Sequence, residues 1–304
     1  MSSHSLPALT LPQSRPARPT FRGALRGELF KLRRNRPTWV ITLLGLLFLA
    51  LVMVLFATQQ QFQASFRHHP LTGFYNALHP LQLFLAAGSG VAILLSGARL
   101  LGMEYDLGTV RVIFSRGTRR HQLLLAKITA LSLYALLLLV GFVALSAIGT
   151  ALAVQHQVGS LAPLQSLPAA AWENAGLAIA ACAVSEFSCV LLSVAMASLL
   201  RSVTSGMVLA LLFFPVDNGL SAALAQLTGI TRSRLWEDAT AFLFGPNLNH
   251  LPTLLQVQST SQVSTLNVPA VPTSLLETAL VIAAWWVFLL SISMASLSRN
   301  DVLS

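Results

Sequence analysis

Charge is what this chain has least of. Only 10% of its 304 residues are Asp, Glu, Lys or Arg, where a soluble domain carries about 25%. With 55% hydrophobic residues and a mean hydropathy of +0.70, most of the chain has no place in water. Lysine is scarcer still, with Lys31 and Lys127 the only two. Neither follows a glycine, so the phosphate-gripping Gly-Lys step of a P-loop nucleotidase is missing. None of the seven histidines precedes a glutamate, which removes the helical zinc-protease pattern. The two cysteines, Cys182 and Cys189, stand two helical turns apart. That is about 10 Å, beyond disulfide reach, and they read as small packing residues.

What remains is a set of long apolar runs. A hydrocarbon core about 30 Å thick needs roughly 20 helical residues to cross it, and the runs lack the period-2 alternation of a barrel strand. The expected fold is therefore an all-α polytopic membrane protein with about six spans: Thr38–Ala57, Pro80–Leu100, Ile128–Val154, Trp172–Leu200, Thr204–Leu227 and Thr273–Leu297. Residues 1–20, rich in Pro, Ser and Arg, read as a disordered tail, without the apolar core of a cleavable signal. Residues 21–37 read as an amphipathic interfacial helix, and 38–304 as one transmembrane domain. Sixteen of the 19 basic residues fall on the loops of one side, leaving only Arg67, Arg232 and Arg234 on the other. The basic side faces the cytoplasm, which puts both termini there and the protein in the cytoplasmic membrane. A net charge of +9 placed beside apolar spans points to anionic lipid rather than nucleic acid.

Three segments outside the spans carry pattern. In Phe21–Arg36, Phe21, Ala24, Leu25, Leu29 and Leu32 share one helical face and Arg22, Arg26 and Arg33 another, the layout of a helix lying on the inner leaflet. Glu28 falls on or beside the apolar face, paired either with Lys31 at i, i+3 or with another, buried segment. The loop Leu101–Lys127 repeats Leu107, Val110 and Phe114 at helical spacing with charge opposite, suited to docking a soluble partner or to touching headgroups. The stretch 228–272 is long for a connection; its apolar pieces Leu235–Gly245 and Leu251–Val257 read as re-entrant or interfacial helices, or as an ordered external loop.

Inside the spans, Glu186 and Asp217 are acids near mid-membrane, each costing at least ~2.5–3.5 kcal/mol if charged. They read as translocation-path residues or as protonated acids bonded to neighbouring Ser or backbone. Pro215 should break the fifth helix beside Asp217. Ala181, Ser185, Cys189, Ser193 and Ala197 form a stripe of small residues that permits close helix packing, within one subunit or in a dimer. Gly88-Ser89-Gly90 offers a serine, but position 87 is Ala87 and no expected span contains a histidine, so a hydrolase reading is poorly served. His68-His69 is a solvated pair or a minor metal site.

The run from Glu104 to Lys127 closely resembles the loop between the second and third spans of type-2 ABC transporter permeases. That family's pattern is Glu-Tyr-x-x-Gly-Thr-x-Arg, a Ser-Arg-x-x-x-Arg segment, and Leu-Leu-x-Ala-Lys entering the next helix. Glu104, Tyr105, Gly108, Thr109, Arg111, Ser115, Arg116, Arg120 and Lys127 match it. Glu28-Leu29-Phe30-Lys31-Leu32-Arg33-Arg34 is similar to the family's elbow helix before the first span. Ser298-Arg299-Asn300-Asp301-Val302 looks like its frequent Arg-Arg-Asp ending, with Asn300 a departure. The resemblance implies an exporter permease that is not itself an enzyme and works as a dimer with a second permease copy. Two ATP-binding cassette subunits would hold ATP and Mg²⁺, with no cofactor in this chain. A coupling helix would lie between spans two and three. Coupling would then fall to Glu28, Glu104, Tyr105, Gly108, Thr109, Arg111, Arg116 and Arg120, and Glu186 and Asp217 would be path residues. The competing class is an ion-gradient-driven secondary transporter, which the absence of a visible internal repeat disfavours. The cargo is not legible.

Overall fold

The computed structural model describes residues 20–109, 119–255 and 268–298, and among these there are helices and no strands. Helix α1 (Phe21–Arg34) starts where the Thr20 hydroxyl accepts the Gly23 N–H at 3.2 Å, satisfying one of the orphan amides of a first turn. After Asn35 the chain enters α2 (Arg36–Ala57), with Pro37 in its first turn. The short α3 (Gln60–His68) leads to α4 (Pro70–Leu83), a π-helical stretch (Phe84–Ser89) and α5 (Gly90–Asp106). Beyond the loop come α6 (Arg120–Val158), α7 (Ala162–Gln165), α8 (Ala169–Leu200) and α9 (Val203–Thr231). The chain finishes with α10 (Leu235–Thr240), α11 (Phe244–Leu255) and α12 (Leu275–Ser298).

Five of these helices are long and apolar enough to cross a bilayer: Arg36–Leu55, Arg120–Val158, Ala169–Leu200, Val203–Thr231 and Leu275–Leu297. The expected second span, Pro80–Leu100, is carried by no single α-helix. It straddles the end of α4, the π stretch and most of α5, a helical run that changes its hydrogen-bond pitch at Phe84–Ser89. Gly88 lies against the Phe84 ring, and the Ser89 hydroxyl donates to the Leu85 carbonyl at 2.6 Å. Pro215 does not break the fifth expected span, since α9 runs through it from Val203 to Thr231. A proline removes one N–H from the ladder, and packed neighbours tolerate that within a bundle.

Helix α8 is the centre. Ser188 through Ser198 are all buried, and 61% of its apolar window is inside against 17% for α2 and α9; a helix buried all round is a core helix. It packs on α5, α6, α9, α11 and α12. The small-residue stripe is spent within the chain: Gly97 of α5 sits over Ser193, and Gly206 of α9 over Ala197, whose Cα a Cβ would meet at 3.1 Å. Gly102 of α5 approaches the start of α9 so closely that a Cβ would lie 2.6 Å from the Val203 Cα.

The segment before α12 folds back into the bundle. Phe244, at the start of α11, is fully buried and stacks on Trp285 at 5.4 Å, with Phe213 and Phe214 of α9 at 6.3 and 6.0 Å. Trp285 lies about 15 Å along α12 from Leu275 at 1.5 Å per residue, so α11 begins beside the middle of α12. Asn247 closes the turn between α10 and α11, donating to the Ala241 and Leu243 carbonyls. His250 meets Thr273 at 3.0 Å and ties the far end of α11 to the approach of α12.

Candidate functional site

The inward face of α1 differs from the apolar stripe expected of it. Glu28 and Leu32 are buried and Ala24 and Leu25 partly so, while Leu29, Phe30 and Phe21 are exposed. The helix therefore turns its one acid inward, against the first turns of α6 and the last turn of α5.

There Glu28 enters a closed ring of four charges. Lys31 contacts Glu28 at 2.7 Å and Glu104 at 2.5 Å; Lys127 contacts Glu28 at 3.0 Å and Glu104 at 2.7 Å. Acids and ammonium groups alternate, so the ring is neutral. That neutrality makes burial tolerable, because an unpaired charge in the same place costs several kcal/mol. The Lys127 side chain is 1% exposed and both carboxylates are buried, whereas the Lys31 side chain is 42% exposed. Burial pulls the Lys31 ammonium down, but the Glu104 and Glu28 carboxylates more than offset it and its pKa is raised. Both alternatives for Glu28 hold together, since it pairs with Lys31 three residues on and with Lys127 on a distant helix.

The ring stands at the root of the loop after α5. Glu104 is in the last turn of α5, and Lys127 is two turns into α6, so the charges pin together the two helices that carry the loop and bind both to α1. Gly108 ends α5 with φ +66, a conformation glycine takes without strain, and its N–H bonds the Tyr105 carbonyl at 3.0 Å. The Thr109 hydroxyl donates to the Glu104 carbonyl at 3.3 Å. Tyr105 is half-buried against the main core, and Arg120 opens α6. Asp106 accepts the Val203 N–H at 3.3 Å, linking the root to α9. Arg111 and Arg116 lie outside the described residues, as do Val110 and Phe114.

The model of the ABC-2 family transporter proteins matches residues 24–216, nearly two thirds of the chain, from α1 to the middle of α9. The chain belongs to the ABC-2 transporter family. Every member of the charge ring falls inside the match. No curated protein matches the chain. As an ABC-2 family protein with several membrane-crossing helices, it is a component of membrane transport.

The two mid-bundle acids of this ABC-2 protein have different surroundings. Glu186 of α8 is 2% exposed. Ser89, the last residue of the π stretch, faces it, and among the described residues its Oε1 has no hydrogen-bond partner and no lysine or arginine pairs with it. Asp217 of α9 instead accepts the Gly245 N–H at 2.5 Å and so sits on the N-terminus of α11, where amides and helix dipole favour a carboxylate. The neighbouring Asn218 accepts from Asn249 at 2.9 Å. Among the described residues no His, Cys, Asp or Glu group could hold a metal.

Sequence reasoning named Lys31 as a partner for Glu28 and Lys127 within the matched motif, but counted neither among the coupling residues. The signal was there, in that a chain of 17 arginines keeps only two lysines, and both end in the ring.

Proposed function

We propose that this chain is the membrane-spanning permease subunit of an ATP-driven exporter. The observation that carries the reading is the buried charge ring at the root of the loop after α5. A loop held by two helices that can slide independently would absorb a push. One whose stems are locked to each other and to α1 passes the push into α5 and α6 as a rigid unit, and α5 and α6 both pack on the central α8.

In this reading the basic end faces the cytoplasm, both termini lie there, and the α4–π–α5 run serves as the sixth crossing in the cytoplasmic membrane. A separate ATP-binding cassette subunit binds ATP and Mg²⁺ and docks on the loop through Arg111 and Arg116, with Glu104, Tyr105, Gly108, Thr109 and Arg120 at its base and Glu28 bracing it. A second permease copy completes the path. Glu186, buried without a cation, is the better placed of the two path acids; Asp217 steadies the re-entrant α11.

The test is reconstitution in liposomes with the ATP-binding subunit. Replacing Gly108-Thr109-Val110-Arg111 by alanines should leave ATP hydrolysis running while export falls. Export unchanged by that replacement, or cargo moved by the wild-type chain on an ion gradient with no ATPase present, would defeat the reading.

A further inference from the structure

The cations of α1 are divided by type. Lys31 faces the ring, and Arg22, Arg26 and Arg33 are exposed on the far side of the helix. At 100° per residue they lie within about 40° of one another, roughly opposite Glu28. Among the described residues none of the three has an ion pair, and the described acids at the loop root are already committed: Glu28 and Glu104 to the lysines, Asp106 to the Val203 N–H. Among the described residues the stripe is thus a row of guanidinium groups with no counter-ion.

Its neighbours fix its height against a bilayer. Leu29 is 36% and Phe30 58% exposed beside the stripe, with the Arg34 guanidinium 5.4 Å above the Phe30 ring. Trp39, in the first turn of the membrane-crossing α2, donates its indole N–H to the Arg33 carbonyl at 3.0 Å. A half-exposed tryptophan at the end of a span marks the headgroup level, so the Arg33 backbone stands at that level too. Planar guanidinium groups suit phosphate oxygens better than ammonium groups do, and apolar side chains beside them suit the acyl boundary.

We propose that the Arg22–Arg26–Arg33 face of α1 binds anionic phospholipid headgroups. The proposal stands on the geometry alone and does not depend on the permease reading.

The experiment uses the full chain in nanodiscs of phosphatidylcholine with a minor fraction of phosphatidylglycerol, and spin-labelled forms of each lipid to measure their relative association. Each arginine near the surface contributes about fivefold in affinity for an anionic surface. The wild type should prefer phosphatidylglycerol, and raised salt should weaken that preference. The triple variant R22Q/R26Q/R33Q should lose most of it with phosphatidylcholine association unchanged, and R22K/R26K/R33K, which keeps the charge, should retain most of it. An unaltered preference in the glutamine variant would overturn the proposal, as would equal loss of both lipids. So would a glutamine variant that keeps its lipid preference and instead fails to bind the ATP-binding subunit, which would give the stripe to that protein. None of these lipid measurements depends on ATP, so they stand or fall separately from the exporter reading.

Discussion

Lys127→Met removes one charge from the ring while leaving most of the side-chain volume in place. In the wild type the Lys127 ammonium lies 3.0 Å from Glu28 and 2.7 Å from Glu104, on a side chain 1% exposed. Without it, two buried carboxylates share Lys31 alone, and one negative charge is left uncompensated where water does not reach. Breaking a buried pair in this way costs about 3–5 kcal/mol. Adding Glu28→Gln restores neutrality, with Glu104 facing Lys31, so the double variant should be more stable than the sum of the singles by about 1–3 kcal/mol. Lys31→Met should cost less than Lys127→Met, because the half-exposed site admits water. Equilibrium unfolding of the purified wild type, Lys127→Met, Glu28→Gln, their double variant and Lys31→Met in mixed micelles, read by tryptophan fluorescence, supplies the free energies. A Lys127→Met cost within about 1 kcal/mol of zero, or single losses that add within about 0.5 kcal/mol, would refute the closed ring.

Three further outcomes follow from the geometry. Lys31 titrates higher folded than unfolded, so its contribution is complete below pH 10.5 and is lost as pH rises through the raised value; the stability gap between wild type and Lys31→Met should close in strong alkali and stay constant near neutrality. Gly108→Ala meets open space but keeps φ +66, costing about 1 kcal/mol, and should disturb coupling more than stability, with Gly108→Asn milder in both. Asp217→Ala orphans the Gly245 N–H and should cost about 1–2 kcal/mol, read as faster labelling of a cysteine placed at Phe242 and as lost export only to the extent that α11 loosens.

Much of the fold was legible because membrane helices announce themselves in composition alone. An apolar run of sufficient length has one stable solution in lipid, and α2, α6, α8, α9 and α12 fall where their runs do. The π stretch at Phe84–Ser89 was not legible, since it changes hydrogen-bond pitch without interrupting hydrophobicity. Pro215 misled for the opposite reason, because a strong local signal was overruled by neighbours that hold α9 together. On α1, periodicity placed Leu29 with the apolar face; the helix instead rotated its acid inward, where two cations compensate it.

The sequence alone settled the chemistry available: helices that must cross lipid, a surplus of arginine at one end, two lysines, and an acid on the wrong face of a short helix. It was silent on who meets whom. Glu104 reaches Lys31 across 73 positions and Lys127 reaches Glu28 across 99, and Asp217 finds its partner on a segment that folds back beside Trp285. A charge is stable in a buried place only when its opposite arrives there, and that arrival is decided by how distant helices pack.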